Sequence, residues 1–284
     1  MRILAIGEII FDIFDGEAEI GGAPLNFCAH CSALGADSAI ISAVGNDALG
    51  FVAIENLRRF GVETEYVQRN DLPTGRCIVT VKNGTPEYNV IRPAAYDRIE
   101  TAENKYSADV FAFGTLIQRD SVSRKTLEYI MKNGDFKEIF CDINLRKDCY
   151  DKDSCLFCLE NATILKISSE EEHLLHNFDF YACGNNEKET VKSICENFDN
   201  IRLVLFTKGE NGSIVYDKTE DEFYEFSAEK TDVVSTVGAG DSYSAAFLCE
   251  YLQSGDIFAA AEAGTKLSAF VVSHREAVPQ RKLI

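Results

Sequence analysis

The stretch Ser235-Thr236-Val237-Gly238-Ala239-Gly240-Asp241-Ser242-Tyr243-Ser244-Ala245-Ala246-Phe247-Leu248 is a turn of small residues that runs into an apolar helix. At a helix N-terminus the first N–H groups lack intrahelical partners and the peptide dipole is positive. Gly238, Ala239 and Gly240 are therefore placed to hold a phosphoryl group as charge develops on it. Asp241 stands in the first turn, where a carboxylate either caps the helix or accepts the proton of an attacking hydroxyl.

Outward from this loop, strand-like and helix-like segments alternate, the pattern of a mainly parallel sheet covered by helices. Arg2–Ile6, Ser38–Val44, Val110–Gly114, Ile139–Asp142, Thr163–Ile167 and Leu203–Thr207 read as buried strands. Pro24–Leu34, Ala48–Phe60, Ser121–Lys132, Ser169–His176 and Glu187–Phe198 read as helices. Residues 12–20 and Gly75–Ile91 break the alternation, Asn83-Gly84 between two extended runs is a hairpin signal, and the strands of a projecting sheet are expected within about 12–20 and 75–97. These pieces fit either a small sheet acting as a lid or an ordinary edge hairpin. With no repeat and no low-complexity linker, residues 1–284 are expected to form one domain carrying that insertion.

Composition narrows the function classes. The chain has 284 residues, 46% hydrophobic and 26% charged, which suits a globular protein with a sizeable core. A net charge of −18 argues against a nucleic-acid or anionic-membrane partner, because phosphate backbones need clustered Lys and Arg. No apolar run reaches the length of a membrane span, and Gly7-Glu8 interrupts the first one before it resembles a secretory segment, so the cytoplasm is the expected location. Ten cysteines then read as reduced, mostly buried thiols. A zinc site combining Cys28 and Cys31 with Cys155 and Cys158 is the alternative.

Further motifs follow in order: Gly7-Glu8 with Asp12, Gly21-Gly22-Ala23-Pro24-Leu25-Asn26, Gly45-Asn46-Asp47-Ala48-Leu49-Gly50, Thr74-Gly75-Arg76 and Arg92-Pro93-Ala94-Ala95-Tyr96-Asp97. Asp142-Ile143-Asn144-Leu145-Arg146, Lys166-Ile167-Ser168-Ser169-Glu170-Glu171, Thr207-Lys208-Gly209-Glu210-Asn211-Gly212 and Ala263-Gly264-Thr265-Lys266-Leu267-Ser268 complete the set. Together with the Gly238 loop they resemble the ribokinase-like, or PfkB, family of carbohydrate kinases, in its fructokinase branch. The resemblance implies a three-layer α/β/α domain with a small β-sheet lid, and transfer of phosphate from ATP to a sugar hydroxyl with Asp241 as base.

The same resemblance implies site residues. Asp12, Gly22, Asn26 and Arg146 would contact the sugar. Tyr88 and Arg92 face either the sugar or the lid's outer surface, since alternate strand positions point to opposite sides. Lys166, Thr207, Gly209 and Gly212 would lie along the nucleotide. Glu171, with Glu170 as alternative, would organise Mg²⁺ through water, and Ser168 stands where the family has Asn. Ser235 replaces the family's Asp and Glu276 its Gly, so activation by K⁺ is not expected. The partners implied are a small sugar, fructose first, with 2-keto-3-deoxygluconate, ribose or a nucleoside as alternatives, and ATP. A homodimer through the lid is a further expectation. A silent sugar- or nucleotide-binding regulator is the non-enzyme alternative, and a dinucleotide oxidoreductase lacks its Gly-x-Gly-x-x-Gly turn after the first strand.

Overall fold

Residues Arg2–Ile6 (β1) show how the sheet divides the core: Ile3 and Ala5 pack into one apolar cluster, Leu4 and Ile6 into another on the opposite face. Strand side chains alternate, so a strand buried on both sides has no polar position to spare. The structure, a computed structural model, describes residues 1–82, 85–182 and 184–279, and the Asn83-Gly84 turn lies outside them.

After β1 come β2 (Ile10–Phe14), β3 (Glu17–Gly21), α1 (Ala23–Ala33), β4 (Asp37–Gly45), α2 (Ala48–Arg59), β5 (Val67–Asn70), β6 (Gly75–Lys82) and β7 (Thr85–Val90). Then follow β8 (Ser107–Phe113), α3 (Ser121–Asn133), β9 (Asp135–Asp142), α4 (Lys152–Asn161), β10 (Ile164–Ser168), α5 (Ser169–Leu175) and α6 (Glu187–Asn197). The chain ends with β11 (Leu203–Thr207), β12 (Ser213–Asp217), β13 (Glu222–Phe226), α7 (Ala239–Ser254) and α8 (Ile257–Val272).

Nine strands form the large sheet in the order β13-β12-β11-β10-β9-β8-β1-β4-β5. All neighbours are parallel except β11–β12 and β12–β13. Buried residues of α1, α2, α7 and α8 share a cluster with one face, those of α3, α4, α5 and α6 with the other, giving three layers. The second sheet has four strands, β3-β2-β6-β7, with β2 and β6 parallel and the outer pairs antiparallel.

Three features add to the elements read from sequence. The extended stretch ends at Val90, and Ala95–Arg98 is a 3-10 turn packed into the body, with Tyr96 fully buried. The Asp97–Arg119 ion pair holds it there, at 2.6 Å between Oδ1 and Nε. The turn at Gly209–Asn211 reverses the chain, so β12 and β13 add antiparallel strands that the parallel pattern did not anticipate. Lys152–Asn161 is a helix, started by a capping box between Asp151 and Ser154, and it carries Cys155 and Cys158 into the core. Cys28 and Cys31 are equally buried on α1, and the nine described cysteines are free thiols.

Among the described residues, no helix is long and apolar enough to cross a membrane. The Gly45–Gly50 motif works structurally. Asp47 caps α2 through Gly50 N–H at 2.8 Å, and its other oxygen takes Thr74 N–H at 2.8 Å, fixing the point where β6 begins.

Candidate active site

Parallel strands bring their carboxyl ends to one edge, and the motifs collect there: Gly7-Glu8 after β1, Gly114-Thr115 after β8, Asp142 at the end of β9 and Lys166 in β10. This edge is where open α/β sheets bind ligands. Two helices close over it. Residues Leu25–Cys31 of α1 are all buried, as are Ser242–Cys249 of α7, so each helix is enclosed on every side. A polar side chain in such a helix needs a partner.

Asn26 has one in Asp241. Its Nδ2 donates to Asp241 Oδ2 at 2.8 Å, joining the first turns of α1 and α7. Gly22 caps α1 at φ 114°, and a Cβ there would lie 2.5 Å from Glu8 O, so only glycine permits the approach. Gly238 caps α7 at φ 80°, with Ala277 O only 2.8 Å from the place of a Cβ. Gly240 faces Lys166, whose Nζ is 3.0 Å from the place of a Cβ. Ala239 N–H donates to Thr236 O at 3.3 Å, so the turn itself already engages one of the three expected donors.

Lys166 is 7% exposed, and its ammonium meets both Asp142 oxygens, at 2.9 and 3.0 Å. Burial disfavours the Lys166 charge, but Asp142, Glu171 and Asp241 outweigh it and raise the lysine. Burial raises Asp142 against the pull of Lys166. Asp241 is also raised by burial, opposed by the Asn26 hydrogen bond, Lys166 and Arg146 and assisted by Glu171. A carboxylate moved toward neutrality is a stronger base than one at its ordinary value.

Glu171 stands in a capping box with Ser168, which accounts for the serine at that place. Its Oε2 accepts from Ser168 N–H at 2.8 Å and its Oε1 from Leu145 N–H at 3.1 Å. Glu170 is exposed. Asp142, Glu171 and Asp241 thus face the Lys166 ammonium and, from the exposed loop, Arg146, an excess of negative charge that suits a hydrated divalent cation. Mg²⁺ needs few protein ligands because it keeps several waters. Among the described residues, no group of three or more His, Cys, Asp or Glu is arranged to hold a metal by itself.

A cavity of about 40 Å³ lies against Asp241 and is bordered by Glu8, Asp142, Asn144, Thr115 and Ser244, with Phe27, Phe113 and Phe140 among its apolar wall. Glu8, Thr115 and Ser244 were not assigned from sequence. A Glu directly after a buried strand was the available signal for the first, whereas nothing in the sequence marked the other two.

The remaining expected residues divide. Asp12 on β2 is raised by burial and opposed by Arg146 and a Cys77 hydrogen bond. Arg146 is exposed, within electrostatic reach of Glu8, Asp12 and Asp241. Tyr88 is 45% exposed on β7 and does not border the cavity. Arg92 is exposed and donates to Arg119 O at 2.7 Å, a link to the body. Thr207 closes β11, and Gly209 and Gly212 shape the turn to β12. Ser235 Oγ accepts Val237 N–H at 3.2 Å within its own loop.

The model of the pfkB family carbohydrate kinases matches residues 7–282. The chain is 24% identical to an ATP-dependent 6-phosphofructokinase from Thermoanaerobacterium thermosaccharolyticum, over 97% of this chain and 89% of that one. It is 25% identical to fructokinase-2 of Oryza sativa, over 90% of this chain and 81% of the relative. Among solved structures, a fructokinase from Vibrio cholerae with fructose, ADP and calcium ion superposes at a TM-score of 0.83, with 19% identity, over 98% of this chain and 94% of the other. A whole-chain family match, the Asn26–Asp241 pair over the sheet edge and the ribokinase-like fold converge: the chain belongs to the pfkB family of carbohydrate kinases and is a phosphotransferase acting on a sugar hydroxyl.

Proposed function

We propose that the protein is an ATP-dependent fructokinase working in the cytoplasm as one domain, with the β3-β2-β6-β7 sheet as its lid. The observation that carries this reading is Asp241, half-buried at the start of α7, held by Asn26 and facing a cavity at the sheet edge. The sugar hydroxyl gives its proton to the Asp241 carboxylate. Its oxygen then forms the new bond to the γ-phosphorus as the bond to the bridging oxygen of ADP breaks. The backbone N–H groups of Gly238 and Gly240 and the Lys166 ammonium stabilise charge on the transferring group, the effect that dominates phosphoryl transfer. Asp12, Asn26 and Arg146 orient the sugar, and the Thr207–Gly212 turn borders the nucleotide. Glu171 would hold Mg²⁺ through water, and the ion would supply charge neutralisation at the phosphates. Ser235 leaves K⁺ no assigned role, and pairing of two lids at their exposed edges is the route to a homodimer.

An unphosphorylated sugar fits better than fructose 6-phosphate, despite the phosphofructokinase relative. Glu8, Asp142 and Asp241 border the cavity, Asp12 adds a fourth carboxyl within electrostatic reach of Arg146, and Arg146 is left to meet a second phosphate. A coupled ADP-release assay across fructose, ribose, 2-keto-3-deoxygluconate, adenosine and fructose 6-phosphate, with and without potassium, tests this. Fructose should give the highest kcat/KM with no potassium effect. Preference for fructose 6-phosphate would overturn the substrate assignment.

A further inference from the structure

Three carboxyl groups border the cavity, and their partners separate them. Asp142 has Lys166 on both oxygens, and Asp241 has the Asn26 amide at 2.8 Å. Glu8 is 6% exposed and, among the described residues, has no cation within hydrogen-bond distance; its Oε1 accepts Ala23 N–H at 3.2 Å. The charged and titratable groups around it are Arg146 from the loop after β9, Asp142 from β9, Asp241 from α7 and Tyr96 from the 3-10 turn. A second polar feature borders the same space. Ser244 Oγ, on a residue 1% exposed, has no hydrogen-bond partner, so the cavity is lined for a polar guest.

We propose that Glu8 is a substrate-binding residue that works as a neutral carboxyl, donating a hydrogen bond to a sugar oxygen while Asp241 accepts the proton of the reacting hydroxyl. Two like carboxyls on one small cavity do not both ionise readily, and the one without a cation or amide partner keeps its proton. Burial pushes Glu8 up to about 7, with Asp241 acting in the same direction and Arg146 and the backbone N–H groups against it. One carboxyl thus serves as base and the other as donor. The inference rests on the cavity being the sugar site.

The experiment compares kcat/KM for the sugar across pH in wild type, Glu8→Gln and Glu8→Ala, alongside a ¹³C-carboxyl NMR titration of Glu8 in the wild type. Glutamine keeps both the acceptor for Ala23 N–H and a donor for the sugar. Wild-type kcat/KM should fall as pH rises through about 7. Glu8→Gln should stay within about threefold of wild type on the acid side and lack that fall, while Glu8→Ala should lose about tenfold or more. The resonance should titrate near 7. A loss of about 100-fold in a folded Glu8→Gln enzyme, an unchanged pH profile in that variant, or a resonance titrating below about 5 overturns the proposal. The NMR result stands without turnover. A wild type inactive on every sugar therefore defeats the sugar-site reading separately, with the protonation of Glu8 still decided.

Discussion

Two buried ion pairs in this molecule have the same ingredients and different surroundings. Arg119 and Asp97, with side chains 1% and 3% exposed, form a closed set. Asp97 also accepts Ala94 N–H at 2.9 Å, while Arg119 donates to Ile91 O at 3.0 Å and lies over the Tyr96 ring, 4.7 Å from its centre. Lys166 and Asp142 are equally direct, at 2.9 Å, but Glu171, Asp241 and the cavity adjoin them. More acids than cations meet there, and the balance is completed from outside. A buried charge network with every group satisfied holds a fold, and one left unbalanced beside a cavity is prepared for a charged ligand.

Breaking each pair should separate these roles. Lys166→Met should lower turnover by about 10²–10³-fold. The double variant Asp142→Asn with Lys166→Met should regain stability without regaining turnover, and recovery of both would make this pair structural too. Arg119→Met should cost about 3–5 kcal/mol in denaturant unfolding, since it strands Asp97. The kcat/KM of its folded fraction should be unchanged, and the double variant with Asp97→Asn should cost less than Arg119→Met alone.

A third, smaller effect concerns Glu8. Its value rises from 4.5 to about 7 on folding, so the native state holds the proton more tightly. The resulting stability is complete below the unfolded value and is lost as pH rises through 7. Relative to Glu8→Gln, wild type should therefore lose about 3–4 kcal/mol between these limits. A constant difference would place Glu8 among ordinary carboxylates. The smallest effect is expected at Arg275, which pairs with Glu17 on the exposed surface of β3. Arg275→Ala should leave Tm and turnover unchanged, because screened surface pairs contribute little.

The same contrast explains what could be read before the structure. The Gly238–Asp241 loop carries a local signal, glycines at a helix start, whereas Asn26 and Lys166 were placed by their positions in the motifs that carry the resemblance. The 3-10 turn after Arg92 was not legible, because what holds it is the pair of Asp97 with Arg119, reached only through tertiary packing. Glu8 was visible after the first strand, but its lack of a cation is a property of the assembled cavity. The antiparallel β12 and β13 follow from the reversal at Gly209–Gly212, and a glycine turn does not state which direction the next strand takes.

Asp241→Asn tests the central claim most directly, because asparagine keeps the size of the side chain and removes the base. Measured with the preferred sugar, turnover should fall by about 10²–10⁴-fold while equilibrium ATP binding and Tm stay at wild-type values. Turnover within about threefold of wild type would contradict the assignment of Asp241 as the proton acceptor.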